Sequence, residues 1–461
     1  MRKKIVVFGI SKRFKNIMKM RVLSWKEIDG LFDNSPDKLG MEMHGLKIQI
    51  PCYEENSEVI ITSAKRYHLD MLEQLIELGF RQISIVQGSE ENYFIHKLNF
   101  ANINLEQCSR NLILLYLQHS SYSNIYAIKY LTENAYINVE PYEVKCIGTE
   151  ENEQYYWDLM RAKYFITELD MSIHSSRIKK IQIWHGFPLK CMGVMNAEFD
   201  DKNREMVQNE WNRNDYILSY GKNYTTFISA CFGTTINKFI VTGMPRNDLL
   251  FCTNGRENIY KLYPQSVGKK ILLYMPTFRE IRGRANGDKK GYIFNWPGFD
   301  IELFEQFCAQ NNIFFIFKLH IQDSVLIEKW GYNSQNIGVL TEQLLGEQCT
   351  YQLLNGTDML ITDYSSVYFD YLLLNKPIIF TNRDEEEYIK NRGVILEPLD
   401  FWRPGAIVDN MESLRKEIIL AISGKDRYKN RRKELIPFVH KFVDGKSTQR
   451  LFDFIRSNDN A

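Results

Sequence analysis

Short apolar runs alternate with longer amphipathic stretches almost from one end of the chain to the other. The runs at 4–8, 59–62, 83–86, 112–116, 164–167, 181–184, 216–219, 239–242, 271–274, 313–318, 359–362 and 377–380 are rich in Ile, Val and Phe. Their length and composition predict strands buried on both faces, as in parallel sheets. Apolar positions at helical spacing lie between them, as at 69–78 and 411–422. Repeated βα units of this kind predict an α/β fold of doubly wound sheets. Ligands of such sheets bind beyond the carboxyl ends of the strands, so the residues that follow each apolar run are the ones to read for chemistry.

Length changes this picture by multiplying the units: 461 residues correspond to about three domains at roughly 150 residues each. Breaks in the pattern divide the chain into 1–105, 106–262 and 263–461. A 44% hydrophobic, 25% charged composition excludes disorder and low complexity. Lys and Arg number 58 against 57 Asp and Glu, a net charge of +1. No global basic field exists for nucleic acid, and any anion must be gripped locally. The eight cysteines are scattered with no CxxC pair, which fits reduced thiols in the cytoplasm better than zinc or a disulfide framework. The opening MRKKIVVFGI is interrupted at Ser11-Lys12-Arg13, so it reads as a buried first strand rather than a signal peptide. No apolar run is long enough to span a bilayer. Only Gly9 stands where a dinucleotide-binding turn needs three glycines, and the acidic Asp33 follows the second strand region. The first block therefore reads as a structural or docking module.

Polar groups recur after the later runs. The segment IQIWHGFPLKCMG brings Trp184, His185 and Gly186 to a strand end, with Pro188 and Lys190 beyond. A lone histidine is commonly a core residue bonded to backbone. Here the adjacent Gly, Pro and Lys favour a base that takes a proton from a hydroxyl near neutral pH. After FIVT comes GMPRNDLL, with Arg246, Asn247 and Asp248 at the exit of a tight turn, a pattern that equally suits a helix cap with a surface arginine. YMPTFRE offers the Thr277 hydroxyl and the Arg279 fork for phosphate oxygens. FIFKLH places Lys318 and His320 on one side of a strand end if the strand continues. In DMLITDYSSVYFDYLLLNKPIIF, a strand ending at Thr362 and Asp363 leads through Ser365 and Ser366 into a helix with Asp370. Serines capping that helix would leave free N–H groups for an anion. No HExxH, DxD or carboxylate cluster suggests a metal, so metal-independent chemistry with no required cofactor is expected.

These motifs, with NRGVILEPLDFWRPGAIVDNMESL and FVDGKSTQR downstream, resemble the CDP-glycerol glycerophosphotransferases, including teichoic-acid primases and polymerases, over roughly residues 110–455. The first block resembles accessory Rossmann-like modules that precede catalytic domains of some bacterial surface-polysaccharide enzymes. The resemblance implies a GT-B architecture: an acceptor-side domain at 106–262, a donor-nucleotide domain at 263–461, and catalysis between them. It implies His185 as base and His320 as assistant at the donor phosphate. The family's donor-site positions map onto Arg246, Asn247, Thr277, Arg279, Asp363, Ser365, Ser366 and Asp370; Gly186, Lys190, Asp248, Lys318 and Thr362, read from their places beside the strand ends, complete the candidate substrate-binding set. Phe187 stands where the family usually carries Thr, and Ile321 where Pro usually follows the second histidine.

The implied reaction moves glycerol phosphate, or ribitol phosphate, from a CDP-polyol to a hydroxyl of a lipid-linked or polymeric acceptor. It releases CMP in teichoic-acid or capsule synthesis, on the inner face of the cell membrane. The basic stretch at 425–434 suits either an anionic membrane or a solvated helix face. Two other readings remain: a GT-B glycosyltransferase using a nucleotide sugar, and a catalytically silent scaffold.

Overall fold

A computed structural model describes residues 2–89, 92–103, 111–117, 123–169, 175, 177–277, 294, 299–319, 334–382 and 385–459. Three sheets carry the described chain. The first is built from β1 (Lys4–Phe8), β2 (Gly30–Phe32), β3 (Glu42–Met43), β4 (Leu46–Gln49), β5 (Ser57–Ile61), β6 (Gln82–Ser89) and β7 (Asn92–Asn99). Its order is β3-β4-β2-β1-β5-β6-β7. The central strands are parallel, whereas β7 returns antiparallel on β6 and β3 on β4. Phe14, Ile17, Val7, Ile60 and Val86 fill its core.

The second sheet comprises β8 (Leu112–Tyr116), β9 (Glu143–Ile147), β10 (Ala162–Thr167), β11 (Lys179–Gln182), β12 (Tyr216–Ser219) and β13 (Phe239–Val241), in the order β13-β12-β11-β10-β8-β9. The third has β14 (Lys270–Tyr274), β15 (Ile313–Phe317), β16 (Ile337–Val339), β17 (Met359–Thr362), β18 (Ile378–Thr381) and β19 (Ala406–Val408). Its order is β16-β15-β14-β17-β18-β19, parallel throughout. All five residues of β15 are buried, the pattern of a strand covered on both faces. By packing, residues 1–115, 140–165 and 171–179 form one compact unit, and 116–139, 166–170 and 180–461 form a second.

Every apolar run read as a strand coincides with one. Seven strands were not anticipated: β2, β3, β4, β7, β9, β16 and β19. Most are short, or mix lysine, glutamate and asparagine with apolar residues, and pairing with an already formed neighbour makes them strands. In the third sheet, β14 runs to neighbours on both sides, β15 one way and β17 the other. The chain reverses its winding between β14 and β17, and a crevice opens at the carboxyl ends of those two strands.

Candidate active site

All of the contacts below lie inside the second unit. β11 ends at Gln182, and two residues later Trp184 adopts a left-handed backbone with φ of 42°. That conformation is unfavourable for a residue with a Cβ and persists only where the surroundings impose it. Here the Trp184 N–H donates to Gln182 Oε1 at 2.9 Å, and its carbonyl accepts from Asn124 Nδ2 at 2.8 Å. The indole packs on Trp211 and Phe232, with ring centroids 5.3 and 5.0 Å away. The next residue, His185, is exposed, with its ring centroid 3.9 Å from that of Trp184.

The His185 main chain is braced from below. Arg246 Nη1 donates to its carbonyl, while Arg246 Nη2 donates to Tyr220 Oη at 3.0 Å and pairs with Asp370 Oδ2 at 2.5 Å. Tyr220 and Tyr351 also donate to the Asp370 carboxylate, at 2.8 and 2.6 Å. The Arg246 N–H donates to Asn124 Oδ1 at 3.1 Å, so one asparagine ties the arginine to the Trp184 turn. Arg246 and Asp370 are buried, at 3% and 0% exposure. Burial works against the charged guanidinium, but the Asp370 carboxylate more than offsets it and holds Arg246 protonated. Burial likewise keeps both tyrosines protonated, and therefore donors.

Gly186 makes the second link. A Cβ at this position would lie 2.4 Å from Ser366 Oγ and 3.1 Å from Ser366 Cβ. Only glycine lets the turn after β11 approach the turn after β17 this closely. Phe187 follows it into an aromatic cluster, 4.6 Å from Phe369 and 5.7 Å from Tyr220. The departure from the family's usual threonine is thus a packing residue at 2% exposure.

Across the crevice, the Thr277 N–H donates to Asp363 Oδ1 at 2.6 Å and Thr362 Oγ1 donates to the Met275 carbonyl at 2.8 Å. These two bonds clamp the carboxyl ends of β14 and β17. The Thr277 hydroxyl is buried with no partner among the described residues. Ser365 and Ser366 are half-buried at the start of the helix Val367–Tyr371. The capping expected of them does not occur, because Ser366 is itself helical at φ −63° and makes no cap hydrogen bond. The helix has only five residues, so its dipole is short; what the turn presents is hydroxyls and main-chain N–H groups. Lys318 follows β15, and its N–H donates to the Tyr274 carbonyl. Burial lowers the pKa of its amine while Glu342 raises it.

One anticipated ligand points elsewhere. Asp248 accepts from the Ser447 and Thr448 N–H groups at 2.8 and 2.7 Å, capping the helix Ser447–Asp459. Asn247 is buried at 4% exposure inside the helix Pro245–Cys252, and its Oδ1 has no hydrogen-bond partner among the described residues. Arg246 and Asp370 are spent on each other, so they position the site rather than face its opening. Lys190 bridges to Val394 and lies near enough for its charge to act on His185. Arg279 and His320 lie outside the described residues.

Glu168 is a component that the motif reading passed over. It follows β10 directly, at the kind of strand-end position that singled out the others. One carboxylate oxygen accepts from the Ile125 N–H at 2.8 Å, and the other is buried without a partner among the described residues. Burial pushes its pKa up to about 7, against the opposing effect of the Ile125 N–H and Arg246. Its main chain hydrogen-bonds the His185 side chain. The protein around His185, then the Arg246 and Lys190 charges, lower the imidazole pKa. Water contact at the exposed ring tempers that lowering without reversing it, and the ring is neutral at pH 7. Tyr220 also stands directly after a strand, whereas Tyr351 and Asn124 carry no strand-end signal.

The raised Glu168 pKa has a consequence for stability. Between about 4.5 and 7 the folded carboxyl holds its proton while the unfolded one has lost it, so stability falls as pH rises through that window. Glu168→Gln is expected to remove this slope. Urea unfolding at several pH values, compared with wild type, measures it; an identical pH dependence in both proteins would show that Glu168 does not carry the proton.

Comparison with known proteins adds one decisive fact. Residues 94–457 match the family described as CDP-glycerol:poly(glycerophosphate) glycerophosphotransferase. The chain belongs to this family. Among relatives of this glycerophosphotransferase family member, the teichoic acid ribitol-phosphate polymerase TarK of Staphylococcus aureus is 26% identical over 435 residues, covering 88% of this chain and 77% of TarK. TarL, a second ribitol-phosphate polymerase of S. aureus, is 29% identical over 312 residues, covering 64% of this chain and 51% of TarL. The chain spans about half the length of TarL and of a Bacillus spizizenii poly(ribitol-phosphate) polymerase, 51% and 46%. The Bacillus subtilis glycerol-phosphate primase is 29% identical over 285 residues, covering 60% of this chain and 68% of the primase. The structure of the wall teichoic acid polymerase TagF superposes with a TM-score of 0.62 at 20% identity, covering 76% of this chain and 89% of TagF. That likeness establishes a shared fold, the GT-B-type pair of Rossmann-like sheets expected from the sequence.

Proposed function

We propose that this glycerophosphotransferase family member transfers a polyol phosphate from a CDP-polyol to a hydroxyl of a lipid-linked or polymeric acceptor, releasing CMP. The observation that carries the reading is the contact of Gly186 with Ser366, which sets His185 beside the turn that follows Asp363. A base and a phosphate-facing strand end then share one crevice. The acceptor oxygen attacks the β-phosphorus, the bond from that phosphorus to CMP breaks, and His185 takes the acceptor proton. Such a transfer needs in-line positioning and charge stabilisation rather than a covalent intermediate. Thr277, Ser365, Ser366 and Lys318 would face the donor phosphates, with Arg279 and His320 joining them as the family resemblance implies. A bound pyrophosphate would also offset the Arg246 and Lys190 field, raising the His185 pKa toward that of an effective base. TagF has been soaked with CDPG, which supports a CDP-polyol donor for this chain.

The organisation we favour keeps 1–105 as an accessory module, 106–262 as the acceptor half and 263–461 as the donor half. The match to TarK over 88% of the chain favours ribitol phosphate as a second reading of the donor. For localisation we favour the cytoplasmic membrane face. No helix among the described residues is long and apolar enough to cross a membrane. Of the basic stretch, Lys425, Lys429 and Lys433 are exposed, while Arg432 is buried in an ion pair with Asp426 and is lost to any surface role.

Incubation of the protein with CDP-glycerol or CDP-ribitol and candidate acceptors tests the reading by CMP release and product mass. CMP release coupled to an acceptor mass gain of one polyol phosphate is expected. Sugar transfer from a nucleotide sugar, or no CMP from either donor with any acceptor, would sink it.

A further inference from the structure

The first sheet holds a cavity of about 390 Å3 that the transferase reading does not use. It is lined by Arg13, Lys65, His68, Gln87, Phe94 and His96, together with Gly88, Thr149 and Glu151. The topology places it where a ligand would be expected. β1 pairs with β2 on one side and β5 on the other, so the winding reverses between β1 and β5. Arg13 follows the end of β1, Lys65 and His68 follow β5, and Gln87 lies two residues before the end of β6, all toward the carboxyl ends of parallel strands. The volume is within the range of small-molecule sites.

The lining has two polar atoms left over. His68 is buried at 3% exposure, and its Nε2 lies 3.0 Å from the Ser63 carbonyl. A carbonyl only accepts, so Nε2 carries the proton and Nδ1 is a bare acceptor. Nδ1 is buried with no partner among the described residues. Burial pushes the His68 pKa down to about 4, so the ring stays neutral in this tautomer. On the other side, Arg13 donates through Nη2 to the Val86 and Gly88 carbonyls at 3.1 Å each and stacks 4.7 Å from the Tyr93 ring centroid. Its Nε–H is buried and unpartnered, and it has no carboxylate partner among the described residues. Glu151 is already engaged by Lys65, Gln87 and Tyr156. The cavity thus offers an uncompensated cation, an acceptor that needs a hydroxyl, and the exposed ring of Phe94 beside them. Asp33, by contrast, is occupied by Ile10, Ser35 and Lys38, which closes the ribose position of a dinucleotide.

We propose that this cavity is a second ligand site that takes a small phosphorylated polyhydroxy compound, a polyol or sugar phosphate. The phosphate lies toward Arg13, with Lys65, exposed and paired with Glu151, shared between that carboxylate and the phosphate, and a hydroxyl donates to His68 Nδ1. It is independent of the transfer chemistry assigned to the second unit.

Hydrogen–deuterium exchange and calorimetry on the full chain test it with glycerol 3-phosphate, glucose 6-phosphate, glycerol and inorganic phosphate. One of the two phosphorylated compounds is expected to slow exchange at 63–70 and 85–96, and to bind more tightly than phosphate or glycerol. His68→Phe, which keeps bulk but removes the acceptor, is expected to weaken binding about tenfold, the worth of one hydrogen bond to a buried group. Lys65→Ala, at an exposed position that tolerates truncation, is expected to weaken it severalfold and decides the matter if His68→Phe does not fold. Protection confined to 181–190 and 359–371, binding unchanged in the folded variants, inorganic phosphate binding as tightly as both organic phosphates, or no binding up to about 10 mM would each overturn the proposal. None of those results bears on CMP release.

Discussion

Asp370→Asn is expected to lower folding stability by about 3–5 kcal/mol, because it leaves the Arg246 guanidinium charged and buried without its counterion. The pair is 2.5 Å apart, with side chains 4% and 0% exposed, so solvent does little to screen the loss. Tyr220 and Tyr351 also lose the carboxylate to which both donate. The double variant Arg246→Met/Asp370→Leu is expected to lose less than Asp370→Asn alone, since no stranded charge remains. Urea denaturation midpoints, read with the slope of the transition, measure both. A near-wild-type midpoint for Asp370→Asn would show that the pair is not what holds this region. Because Arg246 also bonds the His185 carbonyl, turnover should fall in both variants even where folding survives.

The second large effect is catalytic. His185→Ala is expected to lower turnover by about 10²-fold or more while leaving donor binding nearly intact, the signature of a missing general base. The lowered imidazole pKa adds a pH test: the acid limb of kcat/KM should fall below the ordinary histidine value of 6.5. The free-enzyme ring stays unprotonated there because the surrounding protein, and then the Arg246 and Lys190 charges, disfavour the imidazolium. Replacing Lys190 by Met should move that limb toward higher pH. Near-normal turnover in His185→Ala would remove the residue from the mechanism.

Much of this protein was legible in its order of residues. The apolar runs located the buried strands, because a strand covered on both faces has no room for charge. Reading the residues after each run singled out His185, Gly186, Thr277, Asp363 and Ser366 as candidates, since chain that leaves a sheet edge is where polar groups can meet a ligand. The same rule, applied evenly, reaches Glu168 and Tyr220. Edge strands such as β3 and β9 were missed because their pattern is set by a neighbour rather than by their own alternation.

Roles were less legible than positions. Arg246, Asp248 and Asp370 all looked like ligands for substrate, and each is consumed by an internal partner. Whether a charged side chain faces a crevice or a counterion depends on what lies opposite it, and Arg246 and Asp370 are 124 residues apart in the chain. Local sequence determined the α/β class, the strand ends and the candidate base. Only the tertiary structure decided which charges neutralise one another and which atoms, such as the Glu168 and His68 acceptors, have no partner among the described residues. Burial energies of that kind arise from contacts between distant segments, which no local pattern of residues encodes.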